Sequence, residues 1–393
     1  MRRIVVNGRF FAQPRTGVQR YGVETLRSLD ELLSRHPQFL EGVMWQLALP
    51  HDAVDVPLLE NFEIQTLQLF SGHLWEQVSL AAFARGAYLI NLNYSAPLLK
   101  RMQLVSVHDA SVRAHPQTYS WSYRLLSNLL VTTLAPRVHS LMTASHFSAQ
   151  ELKRHYGLQR NDIVVERSGW EHVRMRPEVD EVEVLLRHGL VSGGYLLAVG
   201  SLKWNKNFGI IPRALNLLGG RQRLPVAVAG GRDARVYQGI DAPPPDAMKL
   251  LGFVSDEELN VLYRHASWFI FPSLYEGFGL PPLEAMANGC PVLAAHAASI
   301  PEIYDDAVLY FDPNDPASLA ACLRDVTTRT DAAALRETMK QRAAARMAIY
   351  RWDANARILL DRLVRTGIVA PATTGGATMS LPNLDLELNT PAS

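Results

Sequence analysis

Residues 272–289 read PSLYEGFGLPPLEAMANG, and this stretch predicts a strand, a glycine-containing turn and a helix. The apolar run at 268–271 that comes before it is typical of a buried strand. Pro281 and Pro282 suit the first positions of a helix, where a missing N–H group costs nothing, and Gly289 suits the end of the helix. The free backbone N–H groups of the turn and of the helix N-terminus would then converge on one point, which is a favourable place for an anion.

Two carboxylates, Glu276 and Glu284, flank this expected anion site with seven residues between them. Carboxylates beside an anion are unfavourable unless they bind neutral groups on either side of it. A nucleotide sugar meets that condition, because its diphosphate lies between the hydroxyl groups of the sugar and those of the ribose. The alternative is an ordinary strand, turn and helix that carries two solvated glutamates.

The segment EGFGLPPLEAMANG, with its turn and its two prolines, resembles the E-x7-E signature of retaining glycosyltransferase family 4. The resemblance extends over residues 1–366 and is strongest over 195–315. It implies the GT-B fold, an α/β architecture in which two facing Rossmann-like domains leave a cleft between them. Strands and helices also alternate in two series along the chain, which independently indicates two doubly wound parallel sheets.

These two series set the expected domain organisation. We predict an N-terminal Rossmann-like acceptor domain at 1–175, a linker at 176–193 and a C-terminal Rossmann-like domain for the nucleotide-sugar donor at 194–350. The resemblance implies that a helix at 351–366 crosses back to the first domain. Residues 367–393 are rich in Ala, Thr, Gly, Pro and Ser without periodicity, and we predict a disordered tail there.

Composition excludes several other classes. The chain of 393 residues has 48% apolar and 20% charged residues and a net charge of +1, so a nucleic-acid partner is not indicated. Cys290 and Cys322 follow no metal or redox spacing, which predicts two buried thiols in a reducing compartment. No signal peptide is visible at residues 1–8 and no apolar run reaches the length of a membrane span. We therefore expect a cytoplasmic protein, at most peripheral to the inner face of the cytoplasmic membrane.

Nucleotide-binding motifs of other folds are missing. No G-x-G-x-x-G sequence follows the first strand, and no P-loop sequence occurs, which disfavours NAD-linked and P-loop enzymes. The chain also lacks a D-x-D sequence, so we expect no metal requirement and no cofactor beyond the nucleotide sugar. Side chains and backbone N–H groups would have to bind the phosphates.

Basic residues follow the first predicted strand of the second series. The family commonly shows Gly…Arg-Lys-Asn here, and Lys206 and Asn207 match it, whereas Asn205 stands at the usual arginine position. The resemblance implies that Lys206 neutralises the leaving diphosphate, and Lys203 is a candidate to replace the missing arginine as a point charge. A solvated surface lysine is the alternative reading of Lys206.

Two elements of the first half resemble further family motifs. His108-Asp109 follows a predicted strand at 104–107, and the resemblance implies that His108 reaches the hydroxyl groups of the donor sugar. The TGVQRY sequence opens the first helix, where Gly17 would allow close approach of a phosphate or an acceptor. Arg20 in the same motif would face the acceptor or merely the solvent, and Gly17 could instead be a plain helix cap.

The family resemblance completes the predicted site. It implies that His108, Lys206 and Glu276 are catalytic, that Glu276 binds the donor sugar and that Glu284 binds the ribose. The other predicted donor-binding positions are Gly277, Phe278, Gly279 and Leu280 of the turn, and Gly252, Phe253 and Val254, whose backbone would hold the nucleobase. Ser299, Pro301 and Glu302 resemble an S-x-PE element that we expect to be structural.

The resemblance predicts a hexosyltransferase for polysaccharide or lipopolysaccharide assembly, with mannose from GDP-mannose as the best single donor. The acceptor would be a saccharide or a lipid-linked saccharide. Both glutamates are assigned to binding, so we expect front-side attack rather than the covalent intermediate of retaining glycosidases. The alternatives are a GT-B sugar-nucleotide epimerase and an inactive glycosyltransferase-like assembly partner.

An uneven charge distribution suggests a membrane contact. Residues 100–160 contain eight Lys or Arg against Asp109 and Glu151, a net charge of +6. The same region carries Trp121, Tyr123 and several leucines at helical spacing. A basic face with aromatic and aliphatic residues can dock on anionic lipid, whereas a buried helix with scattered surface arginines is the alternative.

Overall fold

Apolar strands followed by helices build one parallel sheet in each half of the chain. The computed structural model describes residues 1–175, 178–200, 203–219, 224–230, 247–374 and 377–379. Within these ranges the two sheets have seven and six strands, which confirms the predicted α/β class.

The first sheet is formed by the strands β1 (Arg2–Asn7), β2 (Val43–Pro50), β3 (Glu63–Leu67), β4 (Tyr88–Asn91), β5 (Gln103–Ser106), β6 (Ser140–Thr143) and β7 (Val164–Val165). Their order in space is β3-β2-β1-β4-β5-β6-β7, and all pairs are parallel. The strand order reverses at β1 and β4, where Val6 pairs with Ile90. In such sheets ligands bind outside the carboxyl ends of the strands, at the reversal point.

The second sheet is formed by the strands β8 (Leu196–Gly200), β9 (Val226–Gly230), β10 (Met248–Gly252), β11 (Trp268–Phe271), β12 (Val292–Ala295) and β13 (Leu309–Phe311). Their order is β10-β9-β8-β11-β12-β13, again with parallel pairs. The reversal lies between β8 and β11, where Leu197 pairs with Phe269. The four inner strands β9, β8, β11 and β12 are rich in buried apolar side chains because helices cover both faces of the sheet, whereas the edge strands β10 and β13 are more exposed.

Helices connect these strands. In the first domain they are α1 (Gly17–Arg35), α2 (Gly72–Trp75), a π-helix (Glu76–Leu80), α3 (Ala81–Phe83), α4 (Ser111–Ala114), α5 (Trp121–Leu134) and α6 (His146–Tyr156). The later ones are α7 (Glu181–Arg187), α8 (Ile210–Leu218), α9 (Asp256–His265), α10 (Leu280–Ala287), α11 (Ile300–Tyr304), α12 (Pro316–Thr328), α13 (Ala332–Ile349) and α14 (Trp352–Arg365). In the part of the chain that is described, no helix is both long and apolar enough to cross a membrane.

The last helix, α14, lies on the first domain although it follows the second in sequence. Trp352, Leu359 and Leu363 are buried in the same core as α1. Asn355 is fully buried; its amide nitrogen donates to the hydroxyl of Thr25, 2.8 Å away. This packing ties the two ends of the fold together.

Two expectations about the connecting segments differ from the structure. The predicted linker at 176–193 contains α7, and Val184 and Leu185 of that helix are buried in the core of the second domain. Its mixed charges suggested a linker, but they occupy only the outer face of the helix, where Glu181 pairs with His265 and Arg264. Residues 176–177 of the predicted linker lie outside the described residues.

The first residues of the segment predicted to be disordered, from residue 367 onwards, are packed on the first domain. Ile368 and Val369 are 7% and 1% exposed in the core of the first domain, because these apolar side chains pack at the end of α14. Two short strands follow, β14 (Ala372–Thr374) and β15 (Ala377–Met379), which pair antiparallel. The rest of the predicted tail, 375–376 and 380–393, is outside the described ranges.

The two cysteines are free thiols in different surroundings. Cys290 is buried, and burial raises its pKa to about 12. Cys322 is only half-buried, so the prediction of two buried thiols holds for Cys290 alone.

Candidate active site

The turn after β11 has the conformation that its glycines allow. Gly279 has φ of +88°, in the left-handed region, and an added Cβ would lie 3.1 Å from the ring of Phe271. The helix α10 then begins at Leu280, with the two prolines in its first turn as predicted. Ser299 donates to the carbonyl of Glu276 at 2.9 Å, and the hydroxyl of Tyr304 donates to the carbonyl of Gly279. Ser299 of the S-x-PE element and the nearby Tyr304 therefore stabilise the turn through its carbonyl groups.

Lys206 lies against Glu276 at the reversal point of the second sheet. Lys206 belongs to a 3₁₀-helix (Trp204–Lys206) after β8, and Glu276 follows the neighbouring strand β11. The ammonium nitrogen Nζ is 2.5 Å from Oε1 of Glu276, and both side chains are mostly buried. A positive charge is thus kept beside the turn and the start of α10, where the sequence predicts an anion.

Asn205, which replaces the usual arginine of the family, is tied to the same turn. Its backbone carbonyl accepts from the N–H of Leu274 at 2.8 Å, and its side-chain nitrogen donates to the carbonyl of Tyr275 at 3.3 Å. Lys203 is exposed instead, and its ammonium lies 6.0 Å from the ring centroid of Tyr119 in the first domain. Lys203 therefore lies where the two domains face each other.

Glu284 is part of a buried chain of hydrogen bonds at the junction of the domains. Its Oε1 lies 2.9 Å from Nε2 of His172, and Nδ1 of His172 lies 3.1 Å from the indole nitrogen of Trp352. The indole N–H can only donate, so Nδ1 of His172 accepts the hydrogen bond from Trp352. Nε2 of His172 then carries the hydrogen and donates a hydrogen bond to Glu284. The chain connects α10 to α14, which is the helix that returns to the first domain.

His108 is held by two residues of its own domain. Its Nδ1 lies 2.7 Å from Oε1 of Glu166, whose Oε2 accepts from the hydroxyl of Tyr21 at 2.6 Å. Burial by itself would lower the pKa of His108, but the charge and the hydrogen bond of Glu166 outweigh it and the pKa is raised. Among the described residues, the buried Nε2 of His108 has no hydrogen-bond partner. Nε2 is buried in this structure, so a ligand reaches it only when the surrounding groups move apart.

Gly277 brings the two halves of the site together. A Cβ on Gly277 would lie 2.7 Å from the carbonyl oxygen of His108, so only glycine allows this approach. Nearby, the carboxylate of Glu302 accepts from the backbone N–H groups of His146 and Phe147, at 2.7 and 2.9 Å. An acidic residue of the second domain thereby binds the N-terminus of α6 in the first domain.

The first turn of α1 also faces the second domain. An added Cβ on Gly17 would be 3.8 Å from Leu280 at the start of α10. Arg20 forms an ion pair with Asp256 at the start of α9. Burial would lower the pKa of Arg20, but the negative charges of Glu284 and Asp256 raise it. Arg20 is thus placed beside the second domain, and its predicted contact with the acceptor stays a prediction.

The predicted nucleobase segment ends the edge strand β10. Gly252 has φ of +76°, Phe253 is 90% exposed and Val254 is half-buried. Phe278 is buried, as are its neighbours Gly277 and Gly279, and its ring centroid lies 5.4 Å from that of Tyr350. The roles assigned to these residues stay predictions.

Sequence reasoning missed the residues that support the site from elsewhere in the chain. These are Glu166 and Tyr21 beside His108, His172 and Trp352 beside Glu284, and Asp256 beside Arg20. Glu166 directly follows the apolar run at 163–165, and a charge at the carboxyl end of a strand was the available signal. His172 lies 112 residues from Glu284, so no local pattern could have linked them.

Two parallel sheets that face each other across a cleft define the fold as GT-B. Sucrose-phosphate synthase from Thermosynechococcus elongatus has the same fold, with a TM-score of 0.67, 16% identity, and 94% of this chain and 99% of that chain covered. Residues 191–346 match the family described as glycosyl transferases group 1.

Two relatives are O-antigen enzymes by name. The O-antigen chain mannosyltransferase B of Escherichia coli is 31% identical over 237 residues, which are 58% of this chain and 62% of that protein. The O-antigen chain mannosyltransferase RfbU of Salmonella typhimurium is 24% identical over 347 residues, 84% of this chain and 92% of that protein. The chain thus spans less than two thirds of the first relative and nearly all of the second.

Proposed function

We propose that this protein is a metal-independent, retaining glycosyltransferase that moves a hexose from a nucleotide sugar to a saccharide or a lipid-linked saccharide. The observation that carries the proposal is the pairing of Lys206 with Glu276 at the turn, opposite the unpartnered Nε2 of His108. The family match over 191–346 and the two mannosyltransferase relatives support the reaction class. The names of these relatives favour mannose as the sugar and a role in bacterial O-antigen assembly. We propose GDP-mannose as the donor and the cytoplasmic side of the membrane as the place of the reaction.

Each residue of the site has a separate task in this proposal. Glu276 binds hydroxyl groups of the donor sugar, and Lys206 turns from Glu276 to the diphosphate as negative charge develops on it. Backbone N–H groups at the start of α10 bind the same phosphates. Glu284 binds the ribose, and His108 donates from Nε2 to a sugar oxygen when it is protonated.

The proposed step is a front-side substitution. The acceptor oxygen forms a bond to the anomeric carbon while the bond from that carbon to the phosphate oxygen breaks. The proton of the acceptor hydroxyl passes to the leaving phosphate oxygen, so no base of the protein is needed. Glu276 carries the ion pair with Lys206 and is assigned to binding rather than to attack on the sugar.

The first experiment screens nucleotide sugars by thermal shift and then measures transfer. A donor that binds the native state stabilises it by RT ln(1 + [L]/Kd), about 2.7 kcal/mol at a hundred times Kd. We expect GDP-mannose to give the largest shift. An epimerase would instead convert the donor without an acceptor, and an inactive assembly partner would show no turnover at all.

The variant Lys206→Ala tests the site itself. Loss of a charge that stabilises the leaving group costs about 3 kcal/mol, so transfer should fall by about two orders of magnitude. Lys340, exposed on α13 of the same domain, provides the matched control Lys340→Ala, which should leave transfer unchanged. Transfer by Lys206→Ala within tenfold of the parent would place Lys206 outside the reaction.

Metal independence is tested separately. Within the described ranges no three His, Cys, Asp or Glu side chains are arranged to hold a metal ion. We expect EDTA to leave transfer unchanged. Loss of activity in EDTA that a divalent ion restores would contradict the proposal.

We also propose that α5 of the first domain contacts anionic membrane. Trp121, Leu125 and Leu129 follow each other at intervals of four residues and are 73%, 58% and 55% exposed, an apolar stripe along the helix. The basic residues of 100–160 do not all contribute to a positively charged surface. Arg160 donates to the carbonyls of Ala135 and Val138, whereas others, such as Arg154, remain exposed.

Flotation with anionic liposomes at low and high salt tests the membrane contact. Each basic residue near an anionic surface contributes about 1 kcal/mol, so charge reversal at Lys100, Arg101, Lys153 and Arg154 should abolish flotation. Trp121→Ser with Leu125→Ser should do the same, while Leu217→Ser on the exposed face of α8 should not. A parent protein that does not float at low salt would favour a soluble acceptor.

A further inference from the structure

A second cluster of polar side chains lies at the reversal point of the first sheet and has no part in the mechanism above. Arg9 follows β1, Ser95 follows β4, and His73 and Glu76 follow β3. Carboxyl ends of parallel strands share one edge, and His108 follows β5 on that same edge. The contact between His108 and Gly277 shows that this edge faces the second domain. The cluster therefore lies along the edge of the first sheet that faces the second domain.

Glu76 organises the cluster from a fully buried position. Its Oε1 accepts from Ser95 at 2.8 Å and from Asn7 at 3.0 Å, and its Oε2 accepts from Nη1 of Arg9 at 2.8 Å. Nδ1 of His73 lies 3.2 Å from the same Oε2. Glu76 begins a π-helix, a distortion that is frequent at functional sites. A buried ion pair adds little to stability, so the cluster is poorly explained by folding alone.

The outer members of the cluster retain hydrogen-bonding capacity. Arg9 and His73 are 13% and 33% exposed at their side chains, whereas Glu76 is 1% exposed. In the described part of the chain the polar contacts of the Arg9 side chain all involve Nη1, which donates to Glu76 at 2.8 Å and to Ser95 at 3.0 Å and lies 3.3 Å from Nδ1 of His73. The guanidinium nitrogens Nε and Nη2 of Arg9 are left for a ligand.

The charge of the cluster selects the chemistry of that ligand. The single negative charge of Glu76 balances the charge of Arg9, so the site has no excess positive charge for a phosphate. Oriented N–H donors in a charge-balanced site suit neutral hydroxyl groups. Neighbouring strands are about 4.8 Å apart, so the ends of β1 and β5 are roughly 10 Å apart. A sugar bound at the cluster would thus lie beside one that His108 contacts.

We propose that Arg9, His73 and Ser95, positioned by Glu76, form the subsite that binds hydroxyl groups of the acceptor saccharide. This inference rests on the proposed glycosyltransferase function and assigns the acceptor to the reversal point of the first sheet. The acceptor is recognised here through neutral hydroxyl groups. Any lipid or phosphate that it carries lies outside the subsite.

The test separates acceptor binding from donor binding. The variant Arg9→Lys keeps the charge pair with Glu76 but loses the planar fork of N–H groups. Transfer is measured at saturating donor with a panel of octyl hexosides as acceptors, and donor binding is measured by titration with the nucleotide sugar. We expect the KM for the acceptor to rise at least tenfold, with donor affinity within twofold of the parent. Ser95→Ala should raise the acceptor KM by a smaller factor.

Arg3 supplies the matched control. It lies near the start of β1, whereas Arg9 follows the end of that strand, and its guanidinium donates to Gln46. Arg3→Lys should change neither constant. An unchanged acceptor KM in Arg9→Lys, or an equal loss of donor affinity, would overturn the subsite. A parent protein that binds no nucleotide sugar would instead refute the proposed function.

Discussion

At the scale of single residues, a variant of Glu276 tests whether this side chain binds the sugar or the nucleotide part of the donor. Glu276→Gln keeps the shape of the side chain but removes the charge that strengthens its hydrogen bonds to hydroxyl groups. We expect transfer to be lost while binding of the nucleoside diphosphate, measured by calorimetry, stays nearly intact. Equal loss of both would reassign Glu276 to the nucleotide.

The raised pKa of His108 predicts a pH dependence of stability. Its partner Glu166 favours the protonated imidazole, so this contribution is fully present below the usual histidine pKa of 6.5. It is lost as the pH rises through the higher pKa of the folded protein. Glu166→Gln removes the charge that raises the pKa and leaves the burial that lowers it.

We therefore expect the pKa of His108 in Glu166→Gln, followed by NMR of the imidazole, to fall below that of the parent. The stability lost by Glu166→Gln, measured with denaturant, should be larger on the acid side of the usual pKa than on the alkaline side. A pKa that does not move would show that Glu166 does not control His108.

At the scale of elements, Asn355 joins α14 to the first domain through one buried and one partly buried hydrogen bond. Its nitrogen donates to Thr25, and its Oδ1 accepts from the N–H of Arg167 at 2.9 Å. Asn355→Ala leaves both partners unsatisfied, which should cost about 1–3 kcal/mol for the buried hydroxyl of Thr25 and less for the partly buried N–H of Arg167. Urea denaturation measures this loss in the free energy of unfolding.

The matched control for Asn355 is on the same helix. The side chain of Arg365 is 76% exposed and pairs with Asp361 in the preceding turn, so Arg365→Ala should cost under about 0.5 kcal/mol. A similar small effect from Asn355→Ala would mean that α14 is held by its apolar face alone.

At the scale of the whole molecule, the approach of the two domains depends on a glycine. The backbone of Gly277 is outside the left-handed region, so alanine is allowed there by conformation, but its Cβ would lie 2.7 Å from the carbonyl oxygen of His108. Gly277→Ala should push the domains apart, raise the radius of gyration measured by X-ray scattering and reduce transfer at least tenfold. An unchanged radius with transfer within threefold of the parent would show that the contact is not required for the reaction.

The local structure and the motif residues of the site could be predicted from the amino-acid sequence. The strand, turn and helix around Glu276 and Glu284 follow from an apolar run, a left-handed glycine and prolines that suit a helix start, and these preferences act over a few residues. The alternation of strands and helices predicted two parallel sheets for the same reason. Composition predicted a linker at 176–193 and a disordered tail from residue 367. Both segments contain side chains that are buried in the core, because their apolar residues are interspersed with polar ones.

The contacts between residues that are distant in sequence became visible only in the folded structure. Glu166 lies 58 residues from His108, and Glu76 lies 67 residues from Arg9, yet each pair is in contact because the carboxyl ends of parallel strands share one edge. The contacts of Gly277 with His108 and of Glu302 with α6 depend further on how the two sheets face each other. Hydrophobic periodicity carries no information about such distant pairs, because it reports only which side of each element is buried.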